Sequence, residues 1–280
     1  MSSMFNSMNM SSDEIYELYY KDFLLVISCD EYSYKISKAV ENFLINDDKD
    51  LRAITFYHLD MELSKGFNYD EILIKKYEAI IIIGNLDNKK ILKNIMTLLD
   101  VLDKNTMKIG IYNNSTQYYI NFLRAYHNSI LRVKDENNIV KQIINIIFPV
   151  CYSEYGLLPM DLTFMKEIFE GIYTDIEWFE GNNYDLIVER IANSKSIREK
   201  MREANKIVIL FFESQKINNI TWEKNILVKD FYKLSHRISD LLDKYNLKNN
   251  IINIYSNWYG YNKLREPIQL LLLINGYIFY

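Results

Sequence analysis

The run Ala79-Ile80-Ile81-Ile82-Ile83, closed at once by Gly84, constrains this chain more than any other feature. An unbroken apolar run of strand length, rich in β-branched residues and ended by a turn residue, marks a strand buried on both faces. Such strands belong almost entirely to parallel sheets covered by helices. The residues after Gly84 agree, because Ile91, Leu92, Ile95, Met96, Leu99 and Leu102 recur at helical spacing. Phe23–Ile27, Leu51–Tyr57 and Met107–Tyr112 read as further strands, with Ile36, Val40, Phe43 and Leu44 as a helical stripe between the first two. This βαβ succession predicts a mostly parallel sheet with helices on both faces.

Beyond it, Ile120–His127 reads as a short helix and Ile130–Val133 as a short strand. Ile139, Val140, Ile143, Ile144 and Ile147 line one helical face that Pro149 ends or kinks. Tyr152–Pro159 is a loop, Asp161 caps a helix through Phe169, and another helix covers Tyr184–Ala192. A second unit begins near Ala204: a strand at Lys206–Phe212, a helical stripe of Phe231, Leu234, Ile238, Leu241 and Leu242, and strands at Ile251–Tyr255 and Ile268–Tyr280. Gly276 marks a bulge or close packing in the last of them. The expected organisation is a leader over 1–19, a nucleotide-binding-type α/β domain over 20–135, a connecting segment of helices and junction loop over 136–203, and an α+β domain over 204–280.

A formal net charge of −4 gives no basic excess for a nucleic-acid surface. The longest apolar stretches are strand-sized and too short to span a bilayer. No signal peptide precedes the first strand, and Cys29 and Cys151 fit no metal-ligand spacing, so the expected setting is the cytoplasm with reduced thiols. His58, His127 and His236 form no paired metal motif, and Asp47–Asp50 lacks the remaining ligands of a calcium loop. Neither a nucleophile elbow nor a dinucleotide G-x-G-x-x-G is present. Trp178 with Phe179, Trp222, and Trp258 with Tyr259 read as core packing first and partner-facing patches second. Lys195–Arg202 reads as a solvated helix.

Four stretches, taken in order, resemble the tubulin superfamily, and most closely the bacterial cell-division homologue FtsZ. They are EYGLLPMDLTFMKEIF at 154–169, ANKIVILFFES at 204–214, LKNNIINIYSNW at 247–258 and PIQLLLLINGYIF at 267–279. Gly156, Leu157, Leu158, Asp161 and Met165 fall on positions of the family's junction loop, and 204–214 looks like its first C-terminal-domain strand. The resemblance implies a Rossmann-like GTPase-type domain, a long connecting helix and a smaller α+β domain. It also implies guanine nucleotide bound by glycine-rich loops and assembly into filaments.

The departures bear on that chemistry. Only Gly66, Gly84 and Gly110 occur before residue 156. Where the family has G-G-G-T-G-T-G, this chain has Gly84, Asn85, Leu86, Asp87, Asn88 and Lys89, whose side chains obstruct the close approach of backbone N–H groups to phosphate. Lys89 and Lys90 read as solvated lysines. The first loop, Ser28-Cys29-Asp30-Glu31-Tyr32-Ser33, also lacks glycine. Asp30, Glu31 and Asp87 would set three carboxylates near a phosphate with no cation to offset them. In the junction loop, whose acids activate water in the family, Asp161 matches the first acid and Phe164 stands at the second. Asp161 is thus the one low-ranking catalytic candidate, and helix capping accounts for it.

The sequence therefore predicts a noncatalytic FtsZ-like scaffold with no cofactor and no metal. It would act by self-association or by binding a filament-forming relative, in a cytoskeletal or cell-division setting, with neither nucleic acid nor membrane as partner. A divergent GTPase and an unrelated α/β ligand-binding module are the competing readings.

Overall fold

Each apolar run of the first half becomes a strand in the computed structural model, which describes residues 24–46, 54–59, 77–113, 126–132, 173–181, 184–213, 236–241, 251–257 and 268–275, and positions 123, 139, 140, 143, 144, 147, 166, 169, 243 and 244. Strands β1 (Leu24–Ser28), β2 (Ile54–His58), β3 (Ala79–Asn85), β4 (Met107–Asn113) and β5 (Ser129–Arg132) lie in the order β2-β1-β3-β4-β5, every neighbouring pair parallel. Helix α1 (Glu31–Asn46) comes after β1 and helix α2 (Lys89–Val101) after β3.

The period-two geometry of a strand divides these apolar runs between two cores. Leu24, Val26, Ile81, Ile83, Ile109 and Ile111 face Ile36, Val40 and Leu44 of α1, together with Ile139, Ile143, Ile144 and Ile147, which stand in helical conformation. Leu25, Ile27, Ile80 and Ile82 face Ile91, Ile95, Leu98 and Leu99 of α2 on the other side. A sheet with helices on both faces is the expected arrangement. Each fully buried Ile or Leu stabilises it by roughly 1.5–3 kcal/mol.

One strand departs from the expectation that 136–203 holds only helices and loop. Tyr173–Gly181 forms β6, parallel to β5 at Ile130↔Tyr173 and Leu131↔Thr174. Its carboxylates interrupt any continuous apolar run, which hides it from a search for buried strands. β6 is antiparallel to β9 (Ile268–Asn275), which is antiparallel to β7 (Lys206–Glu213), and β7 is parallel to β8 (Ile251–Asn257). The described strands thus form a single sheet in the order β2-β1-β3-β4-β5-β6-β9-β7-β8. The segment 204–214 contains the second strand of the C-terminal half, not its first.

Helices α3 (Tyr184–Asn193) and α4 (Lys195–Glu203) cover one face of that half through Ile187, Ile191, Ile197 and Met201, joined by Ile238. On the other face Val208 and Leu273 belong to the same core as α1, with Phe169 beside them. Nor is α4 wholly solvated. Lys200 is buried, and its Nζ lies 2.6 Å from Glu177 Oε1 on β6. No helix among the described residues is long and apolar enough to cross a membrane.

The leader, Asp47–Asp50, Pro149, Cys151, the junction loop with Gly156, Pro159, Asp161 and Phe164, Trp222, Trp258, Tyr259 and Gly276 lie outside the described residues, as does the side chain of Trp178.

Candidate functional site

From β1 the chain moves outward to β2, then returns to the opposite side of β1 as β3. The crevice beyond the carboxyl ends of β1 and β3 is therefore the topological switch point, where open α/β sheets take their ligands. Two loops line it, Cys29–Asp30 before α1 and Leu86–Asn88 before α2.

Asp30 joins them. Its Oδ1 accepts the Ser33 N–H at 2.7 Å, and its Oδ2 accepts the Asn85 N–H at 2.7 Å. Ser33 Oγ answers by accepting the N–H groups of Cys29 and Asp30, both at 2.9 Å, and donates to the Asp30 carbonyl at 3.0 Å. The Asp30–Ser33 exchange is a capping box, with each side chain satisfying the other's backbone donor at the start of a helix. The bond to Asn85 goes further, linking the loop after β1 to the end of β3. Cys29 N–H donates to the Ile83 carbonyl at 2.9 Å and reinforces that link.

The second loop is held by the side chains of two asparagines. Asn88 caps α2, accepting from Lys90 N at 3.0 Å and Ile91 N at 3.5 Å. Asn85 Oδ1 accepts the Asp87 N–H at 3.0 Å, and Leu86 is buried in the α2-side core. Gly84 permits close approach of the two loops, because a Cβ there would stand 3.2 Å from both Cys29 Cβ and Ile95 Cδ1. Asp87, Asn88 and Lys89 face solvent.

The three carboxylates expected together part company. Asp30 is 5% exposed and turned into the crevice. Glu31 turns outward to Lys35, 2.9 Å away, which holds its carboxyl below the usual range through hydrogen bonding first and charge second. Asp87 stays at the surface. A phosphate at this crevice would have to displace a carboxylate from its backbone donors while meeting its charge, so these residues do not fit one.

Two histidines settle into structural pairs that sequence spacing gave no sign of. Ser28 Oγ lies 2.9 Å from His58 Nδ1 and 3.4 Å from the Tyr57 carbonyl. Ser28 is fully buried, so this contact ties β2, the outermost of the described strands on that side, to β1 and presents no nucleophile. Half-buried His127 places Nδ1 2.9 Å from the Leu123 carbonyl and Nε2 2.8 Å from the Tyr112 hydroxyl. A carbonyl only accepts, so Nδ1 carries the proton and Nε2 accepts from Tyr112. Burial pushes the Tyr112 phenol up, as it does the Cys29 thiol, and lowers His127 to about 4. Among the described residues no group of three or more His, Cys, Asp or Glu stands ready to hold a metal.

Of the sequence-derived candidates, the structure brings Gly84, Asn85 and Leu86 into the crevice wall and leaves Asp87, Asn88 and Lys89 at its rim. Asp161 lies outside the described residues. The role of Asp30 as a link was missed, although D-x-x-S between a strand and a helical stripe is a readable capping signal.

A Rossmann-like parallel sheet continued by a mixed C-terminal half is the tubulin/FtsZ type of fold. Among solved structures the chain matches CetZ2 from Haloferax volcanii, a member of that superfamily solved as a GTPγS-bound protofilament. The match has a TM-score of 0.56 over 91% of this chain and 93% of that one, at 9% sequence identity. No protein-family model matches the chain, and no curated protein matches it by sequence.

Proposed function

We propose that this chain is a noncatalytic tubulin/FtsZ-like scaffold that associates with itself or with a filament-forming relative and needs no nucleotide to do so. The observation that carries the reading is the Asp30 carboxylate held across the crevice by the Ser33 N–H in the first turn of α1 and the Asn85 N–H at the end of β3. A nucleotide switch requires contacts that differ between two ligand states, and here the Ser33 and Asn85 N–H groups facing the crevice are already engaged by the chain's own carboxylate. The fold supports the assembly half of the reading, since the similar CetZ2 was solved as a protofilament. A head-to-tail contact between copies is enough to build an open filament. The corresponding setting is cytoskeletal, with cell division as its leading instance.

The test pairs calorimetry against Mg-GTP with sedimentation and negative-stain microscopy of the full chain. The expected result is no binding heat and assembly whose extent is the same with and without Mg-GTP. Saturable GTP binding followed by phosphate release would establish the competing GTPase reading. A chain that stays monomeric and ignores a filament-forming relative would overturn the scaffold.

A further inference from the structure

We propose that Asp30 is a resident anion, a carboxylate supplied by the chain itself that fills the switch-point crevice and shuts phosphate-bearing ligands out. The proposal rests on the reading that this crevice takes no nucleotide, and it names the residue responsible.

A carboxylate this deeply buried needs compensation, and among the described residues no ion pair includes Asp30. Lysines near it on α1 are engaged elsewhere, Lys35 with Glu31 and Lys38 with Glu41. Backbone takes the place of a cation: the Ser33 N–H at the positive end of α1 and the Asn85 N–H at the end of β3, each at 2.7 Å. Oriented N–H groups and a helix N-terminus hold anions in just this way. The crevice therefore has the electrostatics of an anion hole, and its anion is part of the chain.

Tethering makes that anion hard to displace. A group held in place by its own backbone acts at an effective concentration far above that of a free ion. Ser33 strengthens the tether, because its hydroxyl engages the Cys29 N–H, the Asp30 N–H and the Asp30 carbonyl together. An incoming phosphate would need to break two short charge-assisted bonds and would face the carboxylate's charge until it moved aside.

The decisive variant is Asp30→Ser, which keeps an oxygen able to cap α1 but removes both the charge and the reach to Asn85. Asp30→Asn, a second good capping residue, removes the charge and leaves one acceptor oxygen where the carboxylate had two, and it keeps the test valid if the first variant folds poorly. Wild type and variants are titrated with inorganic phosphate, against chloride at matched ionic strength, by calorimetry and phosphorus NMR, with circular dichroism reporting the fold. Wild type should show no saturable binding. Asp30→Ser should bind at least about tenfold more tightly, the change expected when one charge-assisted hydrogen bond becomes available. A folded variant that binds phosphate no better than wild type overturns the resident-anion proposal and leaves the scaffold reading standing. GTP binding by wild type overturns the scaffold reading instead.

Discussion

At the scale of single residues, His127 has the most measurable consequence. Its Nε2 is committed to the Tyr112 hydroxyl, and burial is the main reason that its pKa falls from 6.5 to about 4. The unfolded chain therefore binds the proton more readily between those values. The contribution of His127 to stability is complete above the unfolded pKa and is lost as pH falls from 6.5 toward about 4. The loss amounts to at most about 3 kcal/mol, less whatever the partly exposed ring recovers from water. Urea unfolding of wild type and His127→Gln across that range should show a shallower pH dependence in the variant. Parallel curves would assign the acid sensitivity to other groups. Gly110 belongs to the same arrangement, since a Cβ there would collide with the Tyr112 ring that folds back over it and would press on His127. Neither partner is legible in the sequence, because Tyr112 and His127 meet only once β4 and the segment before β5 lie side by side.

At the scale of elements, strands with unbroken apolar runs were readable and the strand carrying acids was not. β3 and β4 extend only slightly past the ends that their apolar residues define, because strands buried on both faces are largely apolar. The one lysine inside β4, Lys108, sends its Nζ to the Asp103 and Thr106 carbonyls. β6 reads Y-T-D-I-E-W-F-E-G, and its Glu177 is tolerated because Lys200 of α4 reaches it at 2.6 Å. That partner lies outside any local sequence window. Breaking the pair should cost more than removing it. Lys200→Met alone should destabilise the chain by about 2 kcal/mol, and adding Glu177→Leu should recover most of that loss. Thermal unfolding of the two variants decides the matter, and a harmless single substitution would mean that the pair contributes nothing. α2 was readable from its apolar spacing, and the structure adds that Asn88, placed in the altered loop by the sequence, caps the helix with its own side chain.

At the scale of the whole molecule, β6 links the parallel half to the antiparallel pairs, and one core runs from α1 to Val208 and Leu273. The two halves should accordingly unfold together. Ile81→Ala in the first half should cost about 2–5 kcal/mol. It should also lower the hydrogen-exchange protection of β7 amides by the same free energy as those of β1, and unchanged protection in β7 would show two independent units. The sequence by itself determined the parallel sheet, the helices on both its faces, the absence of glycine from the crevice loops and the order of elements resembling FtsZ. Each of these comes from short-range rules: apolar period, turn residues and the steric demand of a Cβ. Tertiary structure decided that β6 completes the sheet and that Asp30, alone of the three early carboxylates, turns inward to take the Asn85 N–H across the crevice. A buried charge is held by donors distant in the chain, and only the folded sheet brings them within hydrogen-bonding range.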